Sequence, residues 1–497
     1  MSRIAFASVV MAALTLQTMP ELGAQGPRTD TGPRALIERA VQAMGGEQAL
    51  RGTTTSISEF NNATFALGQE ETSESPARAT LASGKIIVDW KGNRRVQIQE
   101  VRPVAGAMTR QRQIMAGDMG MNETDGRQAA SAPAQIIGTQ RGMRLQPERM
   151  LLAALDHPSS LTPLRPREWR GTLMDGARFA HGADTVSLFF DRISGLLTVA
   201  ESVVDDPILG DRRNVAWYTR WQNAGGGVKL PRQIDSEANG RLQSHSVITS
   251  VTVNGALDET LFTIPDSISS RAQRASSAPT PAPLMVHLVE LAPNVWRAEG
   301  GTHHSLVIEQ PARLVVIEGP LNTARTRAVL DTLRARFPGK PVATLVNTHH
   351  HWDHSGGVRA YMAAGIPVVT HVRNAAFIRG LASARKTVDP DALSRRPRPS
   401  VVRTLTDSMV LGEGDSRVVI YSIPTIHAEG VLAAYVPASR ILFASDVLSP
   451  GATLAPAGSA EMVAMARSRG LTVDRFAGGH GNVASWADVA AAGGAKP

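Results

Sequence analysis

The chain has 497 residues, 42% of them hydrophobic and 19% charged, with 30 prolines and no cysteine. That length exceeds one ordinary core and the composition lacks the hydrophobic deficit of a disordered chain, so two folded domains are expected. Without cysteine there is no disulfide, thiolate ligand or thioether lipid anchor. The formal charge of +8 is scattered with no block of like charges, which argues against nucleic acid as a partner.

Residues 1–24 (MSRIAFASVVMAALTLQTMPELGA) carry one arginine, an uncharged run from Ile4 to Leu16, and small residues at Gly23 and Ala24. The run is too short to span a bilayer and has the layout of a cleaved export signal, so the mature protein is expected to start near Gln25 and to be periplasmic or secreted. No later run approaches twenty apolar residues, and no stable membrane span is expected.

PRALIERAVQAMGGEQAL places Leu36, Ile37, Val41 and Met44 at helical spacing before Gly45-Gly46. KIIVDW, RRVQIQEV, TVSLFFD, LLTVAESVV, VAWYTRWQ and HSVITSVTV then alternate apolar with polar residues between turn signals. They predict a mostly antiparallel β domain over 27–264, with QPERMLLAALDHP as a further helix. The stretch from GGGVKLPRQID to ETLFTIP resembles the end of the periplasmic lipoprotein-carrier-like fold, which implies a hydrophobic, acyl or lipid-like ligand in this domain. No catalytic constellation is present, and Asp205-Asp206 beside Pro207 reads as a turn.

PDSISSRAQRASSAPTPAP has no apolar period and reads as a linker over 265–285. Of the 13 histidines, His157, His181 and His245 precede it and the rest follow. Metal chemistry therefore belongs to the second domain, 286–497.

There, strand-like runs (NVWRAEG, SLVIEQ, RLVVIEG, PVATLVNT, IPVVTH, SRVVIYSIP, VLAAYVP, ILFASDV) interleave with helical ones (TARTRAVLDTLRARF, RNAAFIRGLAS, AEMVAMARSRG), which predicts layered α/β packing. The strand PVATLVNT delivers NTHHHWDHSGG. His349 and His351, two apart on extended chain, face one side and share a cation, so His350 points away. Asp353 and His354 follow where the chain turns, aimed at a second position, and Ser355-Gly356-Gly357 permits a tight start to the next helix. Catalytic zinc takes about three protein donors, and His427, Asp446 and His480 stand at later strand ends, where backbone pairing holds donors still.

This order, H-x-H-x-D-H, then a lone His, an Asp after an apolar strand and a late Gly-His, resembles the metallo-β-lactamase superfamily over the whole of 286–497. The resemblance implies a four-layer αβ/βα sandwich, with His349, His351 and His427 on one metal, Asp353, His354 and His480 on a second, and Asp446 bridging. His287, His303, His350 and His371 read as ordinary packed or surface histidines. His304, before SLVIEQ, and Trp352, between the ligands, are candidates to line a substrate pocket.

Two zinc ions in such a cage bring the pKa of a shared water towards neutrality and polarise a carbonyl or phosphoryl oxygen. Asp353 then serves as ligand and proton acceptor together, and the expected reaction is metal-assisted hydrolysis of a small molecule. Asp446 stands where true β-lactamases have Cys or Ser, and no Lys follows it closely to hold a β-lactam carboxylate. An ester or lactone is therefore the expected substrate. Three alternatives stay open: β-lactam hydrolysis, a mononuclear iron dioxygenase, and a lipid-binding or acyl-binding protein with a vestigial metal site.

Overall fold

The computed structural model describes residues 32–104, 106–270 and 285–494. The expected export signal lies outside them, as does most of the linker. Among the described residues of the first half, thirteen strands form one antiparallel sheet. The chain lays down its first six strands outward from the centre, then returns through the other seven. Its first strand, β1 (Thr55–Phe65), thereby pairs with its last, Arg241–Val253, from Ser56↔Val253 to Thr64↔Ser244. On its other edge β1 pairs with β2 (Ala79–Asp89).

Helices Pro33–Ala43 and Pro147–Asp156 cover one face. Each starts at a proline, which suits the first helical position because its missing N–H has no intrahelical partner there. Leu36, Ile37, Ala40 and Val41 recur at helical spacing and pack with Met150, Leu151, Phe179 and Phe190. The helix Pro133–Arg144, Gly-rich and weakly apolar, was not legible in the sequence. Between it and the sheet lies a cavity of about 670 Å³ walled by Phe60, Ile86, Val88, Arg95 and Glu148. On the opposite sheet face Ile87, Val96 and Ile114 pack against Phe262 and Ile268. Residues 266–270 are helical, so the expected linker begins later than 265: Ile268, four residues after Ile264, keeps the chain on the first domain's core.

The second half is built from two sheets. One has the order His287–Ala292, Val295–Glu299, Ser305–Glu309, Leu314–Ile317, Val342–Val346, Val368–His371, Val402–Leu405; the other runs from Ser408–Leu411 to Val483–Ser485. Each strand of the first sheet from Leu314–Ile317 onward pairs in parallel with the next, as helical crossovers require. Ile308, Val315, Ile317 and Val346 of the first sheet meet Val418, Ile420, Leu432 and Phe443 of the second. Helices Thr323–Arg336 and Ala375–Ser383 cover the outside of one sheet, and Pro456–Ser468 the outside of the other. The layers are therefore helix, sheet, sheet, helix, as expected. No helix among the described residues is long and apolar enough to cross a membrane.

Two segments of the first domain dock on the second. Around 205–211, Ile208 joins the core of Tyr361, Ile378 and Leu381, Lys386 donates to Asp205, and Asp211 accepts from Thr387 N (2.6 Å) and Thr387 Oγ1 (2.7 Å). Asp206 accepts from Ile208 N and Leu209 N at 2.8 and 2.9 Å, which shapes the turn read from the sequence. The other segment is the β1–β2 connection at 66–71, which reaches the histidine-rich stretch.

Candidate metal centre

Residues 347–351 leave the end of the buried strand Val342–Val346 in extended conformation, and His349, His350 and His351 are all at most 1% exposed. A single turn of helix, Trp352–Ser355, follows. It is allowed because Gly356 and Gly357 have no side chain: a Cβ on Gly356 would stand 1.9 Å from Leu321 O, and one on Gly357 2.3 Å from Thr326 Oγ1. His427 lies in the loop after Val418–Ile423, Asp446 just past Ile441–Ala444, and His480 just past Arg475–Gly478.

These donors converge in two groups, His349, His351, His427, Asp446 and His303, Asp353, His354, His480, each with its ligand atoms within 4.8 Å of one another. In the first, His427 Nε2 lies 3.3 Å from His349 Nε2 and 3.0 Å from His351 Nδ1. In the second, His480 Nε2 lies 3.3 Å from His354 Nε2, and Asp353 Oδ2 is 3.3 Å from His303 Nε2 and 3.5 Å from His354 Nε2. Asp446 spans both. Its Oδ1 is 2.9 Å from His354 Nε2 and 3.0 Å from His480 Nε2, while its Oδ2 is 3.3 Å from His427 Nε2 and 3.8 Å from His349 Nε2. Ring nitrogens this close, with carboxylate oxygens among them, point their lone pairs at common positions. A nitrogen and oxygen donor set of that form fits zinc, and also iron.

The electrostatics differ between the two groups. Burial, then the neighbouring imidazoles, holds the His349 pKa well below its usual value and brings His351 down to about 3. Both rings are thus neutral, as a ligand must be. Burial alone would raise the pKa of Asp353 and Asp446, but hydrogen bonds from the surrounding histidines outweigh it and keep both carboxylates ionised far below the usual range. His354 is the opposite case: burial would lower it, yet Glu318, Asp353 and Asp446 together raise it well above normal.

All seven residues expected as ligands come together, and His350 stays out of both groups. Its Nε2 faces Glu70 O at 3.1 Å instead. His303, read as ordinary, sits in the second group and is 6% exposed. His304 is not the member of that pair that reaches the centre: it is half-buried, outside both donor groups, and burial and Arg297 lower its pKa. Trp352 is half-buried, packed against the second domain's core, and its backbone N–H donates to Gly68 O at 3.1 Å.

Sequence reasoning missed three contributors. Glu318, 0% exposed, places Oε2 2.9 Å from His354 Nδ1 and accepts from Thr348 Oγ1. The one available signal was an acid closing the apolar run RLVVIEG. Gln69 donates through Nε2 to Asp353 Oδ1 at 2.8 Å, and Glu70 O faces His351 Nε2 at 2.9 Å. Both come from the other domain, where local pattern carries no trace of the pairing.

Residues 298–490 match the family model described as the metallo-beta-lactamase superfamily. The second domain is therefore a metallo-β-lactamase superfamily domain. Over 159 residues the chain is 28% identical to 2,4-dinitroanisole O-demethylase subunit alpha of Nocardioides sp. (strain JS1661), covering 32% of this chain and 45% of that protein. The chain thus spans less than half the length of this curated relative. Among solved structures it is similar to a metallo-beta-lactamase from Pontibacter korlensis (16% identity, 41% of this chain and 96% of that one, TM-score 0.34). It is also similar to a metallo-β-lactamase from Hirschia baltica (18% identity, 42% and 96%, TM-score 0.32).

Proposed function

We propose that this is an exported hydrolase carrying two zinc ions, which cleaves an ester, lactone or related carbonyl substrate in its second domain. The observation that carries the reading is Asp446, whose two oxygens face the two histidine groups separately. When bound at such a pair of sites, zinc ions lower the pKa of a water shared between them and polarise a substrate carbonyl. The residues do the rest. His349, His351 and His427 hold one position, and His303, with Asp353, His354 and His480, surrounds the other. Asp353 is the more open carboxylate, with its side chain 35% exposed against 14% for Asp446. As the more open of the two, it is the carboxylate assigned to take the proton and pass it to a leaving group.

The hydrophobic-ligand reading of the first domain draws support from the cavity lined by Phe60, Ile86 and Val88. Arg95, whose pKa burial brings down to about 10, lies in the same wall. An acyl chain with an acidic head suits that combination, with the first domain presenting hydrophobic substrate to the second.

A second reading is favoured by the relative named as an O-demethylase subunit: the bond cleaved is then the methyl C–O or aryl C–O bond of an aryl methyl ether. The test is a panel of lactones, esters, thioesters, phosphodiesters, 2,4-dinitroanisole and a chromogenic cephalosporin, assayed with and without chelator on the metal-analysed protein. Chelator-sensitive turnover of a lactone or ester, with zinc bound, supports the first reading. Turnover of the anisole alone supports the second, turnover of the cephalosporin alone a β-lactamase, and bound iron with oxygen consumption an oxygenase.

A further inference from the structure

We infer that the β1–β2 connection of the first domain is a working part of the metal centre, with Gln69 and Glu70 as positioning residues for ligands on the second domain. This rests on the metal-binding reading above.

Segment 68–71 touches each stretch that carries the ligands nearest it. Gln69 Nε2 donates to Asp353 Oδ1 at 2.8 Å, which leaves Oδ2 facing His303 and His354. The carbonyl of Glu70 accepts from two imidazoles, His350 Nε2 at 3.1 Å and His351 Nε2 at 2.9 Å. A carbonyl oxygen can only accept. The proton of His351 is therefore at Nε2, and its bare lone pair is at Nδ1, the atom that faces His427 Nε2. Fixing the tautomer of a ligand through its far nitrogen is the established way in which surroundings tune a metal site. His350 acquires a role as well: it anchors the same carbonyl from the side away from the donors. Glu71 O accepts from Glu429 N at 2.8 Å, which ties down the loop carrying His427.

The segment is itself held in place. The Glu70 side chain is 1% exposed, accepts from Gly68 N at 2.8 Å and pairs with Arg241 of the first domain's last strand. Gly68 has φ +84°, and a Cβ there would stand 2.2 Å from the Trp352 ring. Backbone and tryptophan approach as closely as they do only because that residue is glycine. The contact is thus built from both sides: a buried glutamate paired with a partly exposed arginine on one domain, and a histidine outside both donor groups on the other.

The experiment titrates zinc, and separately cobalt, into metal-free full-length protein. Affinities are read by competition with a chromophoric chelator and site geometry by the cobalt absorption spectrum, for wild type, Gln69→Leu and Arg241→Ala. Gln69→Leu keeps the side-chain bulk and removes the donor. It is expected to weaken the position containing Asp353 by about 10- to 100-fold and to shift the cobalt spectrum, with the unfolding midpoint of the metal-free protein unchanged. Arg241→Ala lies outside the centre and releases Glu70; it is expected to weaken the position containing His351. Wild-type affinities and spectra in both variants would overturn the inference while leaving the metal reading intact. A wild type that binds neither metal would instead sink the metal reading itself.

Discussion

Glu318 Oε2 lies 2.9 Å from His354 Nδ1, with both side chains 1% exposed. The carboxylate orients the ring so that Nε2 faces Asp446 and His480, and it does so from an uncommon backbone state, φ +81°. A non-glycine residue held there costs energy and persists only where its surroundings enforce it. Glu318→Gln keeps the shape and removes the charge. Zinc affinity at the His354 position should fall by about 10- to 100-fold, measured by chelator competition.

Asp353 is the proton acceptor in this account, so Asp353→Asn should retain the fold and lose turnover. A reduction in kcat of about 10²- to 10⁴-fold is the usual size for losing a general acid–base group. Steady-state kinetics on whichever substrate the panel identifies, with zinc content measured in parallel, separates lost chemistry from lost metal.

Gly68 joins the domains where no side chain fits. Gly68→Ala combines a positive-φ penalty with a clash on the Trp352 ring, and should destabilise the protein by more than about 1 kcal/mol. Thermal unfolding checks this, and a surface control such as Gly117→Ala, also at positive φ but with open space around its Cβ, should cost less.

Glu148 faces the first domain's cavity and is buried, which raises its pKa; its own backbone N–H and Arg149 oppose the shift without cancelling it. A carboxyl whose folded pKa lies above its unfolded value contributes stability below the unfolded value and loses it as pH rises through the folded one. The wild-type unfolding midpoint should therefore fall, relative to that of Glu148→Gln, as the solution goes from acidic towards alkaline. Parallel scanning calorimetry of the two proteins measures the difference, and curves that stay parallel across the series would contradict it.

Much of the second domain was legible because its donors stand at strand ends, where the hydrophobic run, its stop and the histidine or aspartate are adjacent in sequence. Val342–Val346 leading to His349 and Ile441–Ala444 leading to Asp446 are of this kind. The first domain yielded its strands but not their single-sheet order, since the pairing of Ser56 with Val253 joins residues that no local period relates. Helix Pro133–Arg144 escaped notice because Gly138 and Gly142 dilute its apolar face. Gln69 was invisible for a different reason. It is an ordinary polar loop residue until tertiary packing brings Asp353 to it, a pairing 284 positions away.

In the proposed function, Asp446 joins two histidine groups into one two-metal site. Native mass spectrometry of metal-free full-length protein titrated with zinc tests it most directly, run beside Asp446→Ala. Two zinc ions per wild-type chain and weakened binding at both positions in the variant are expected. A wild type that stops at one ion or none, or a variant that still takes two with unchanged affinity, would contradict it.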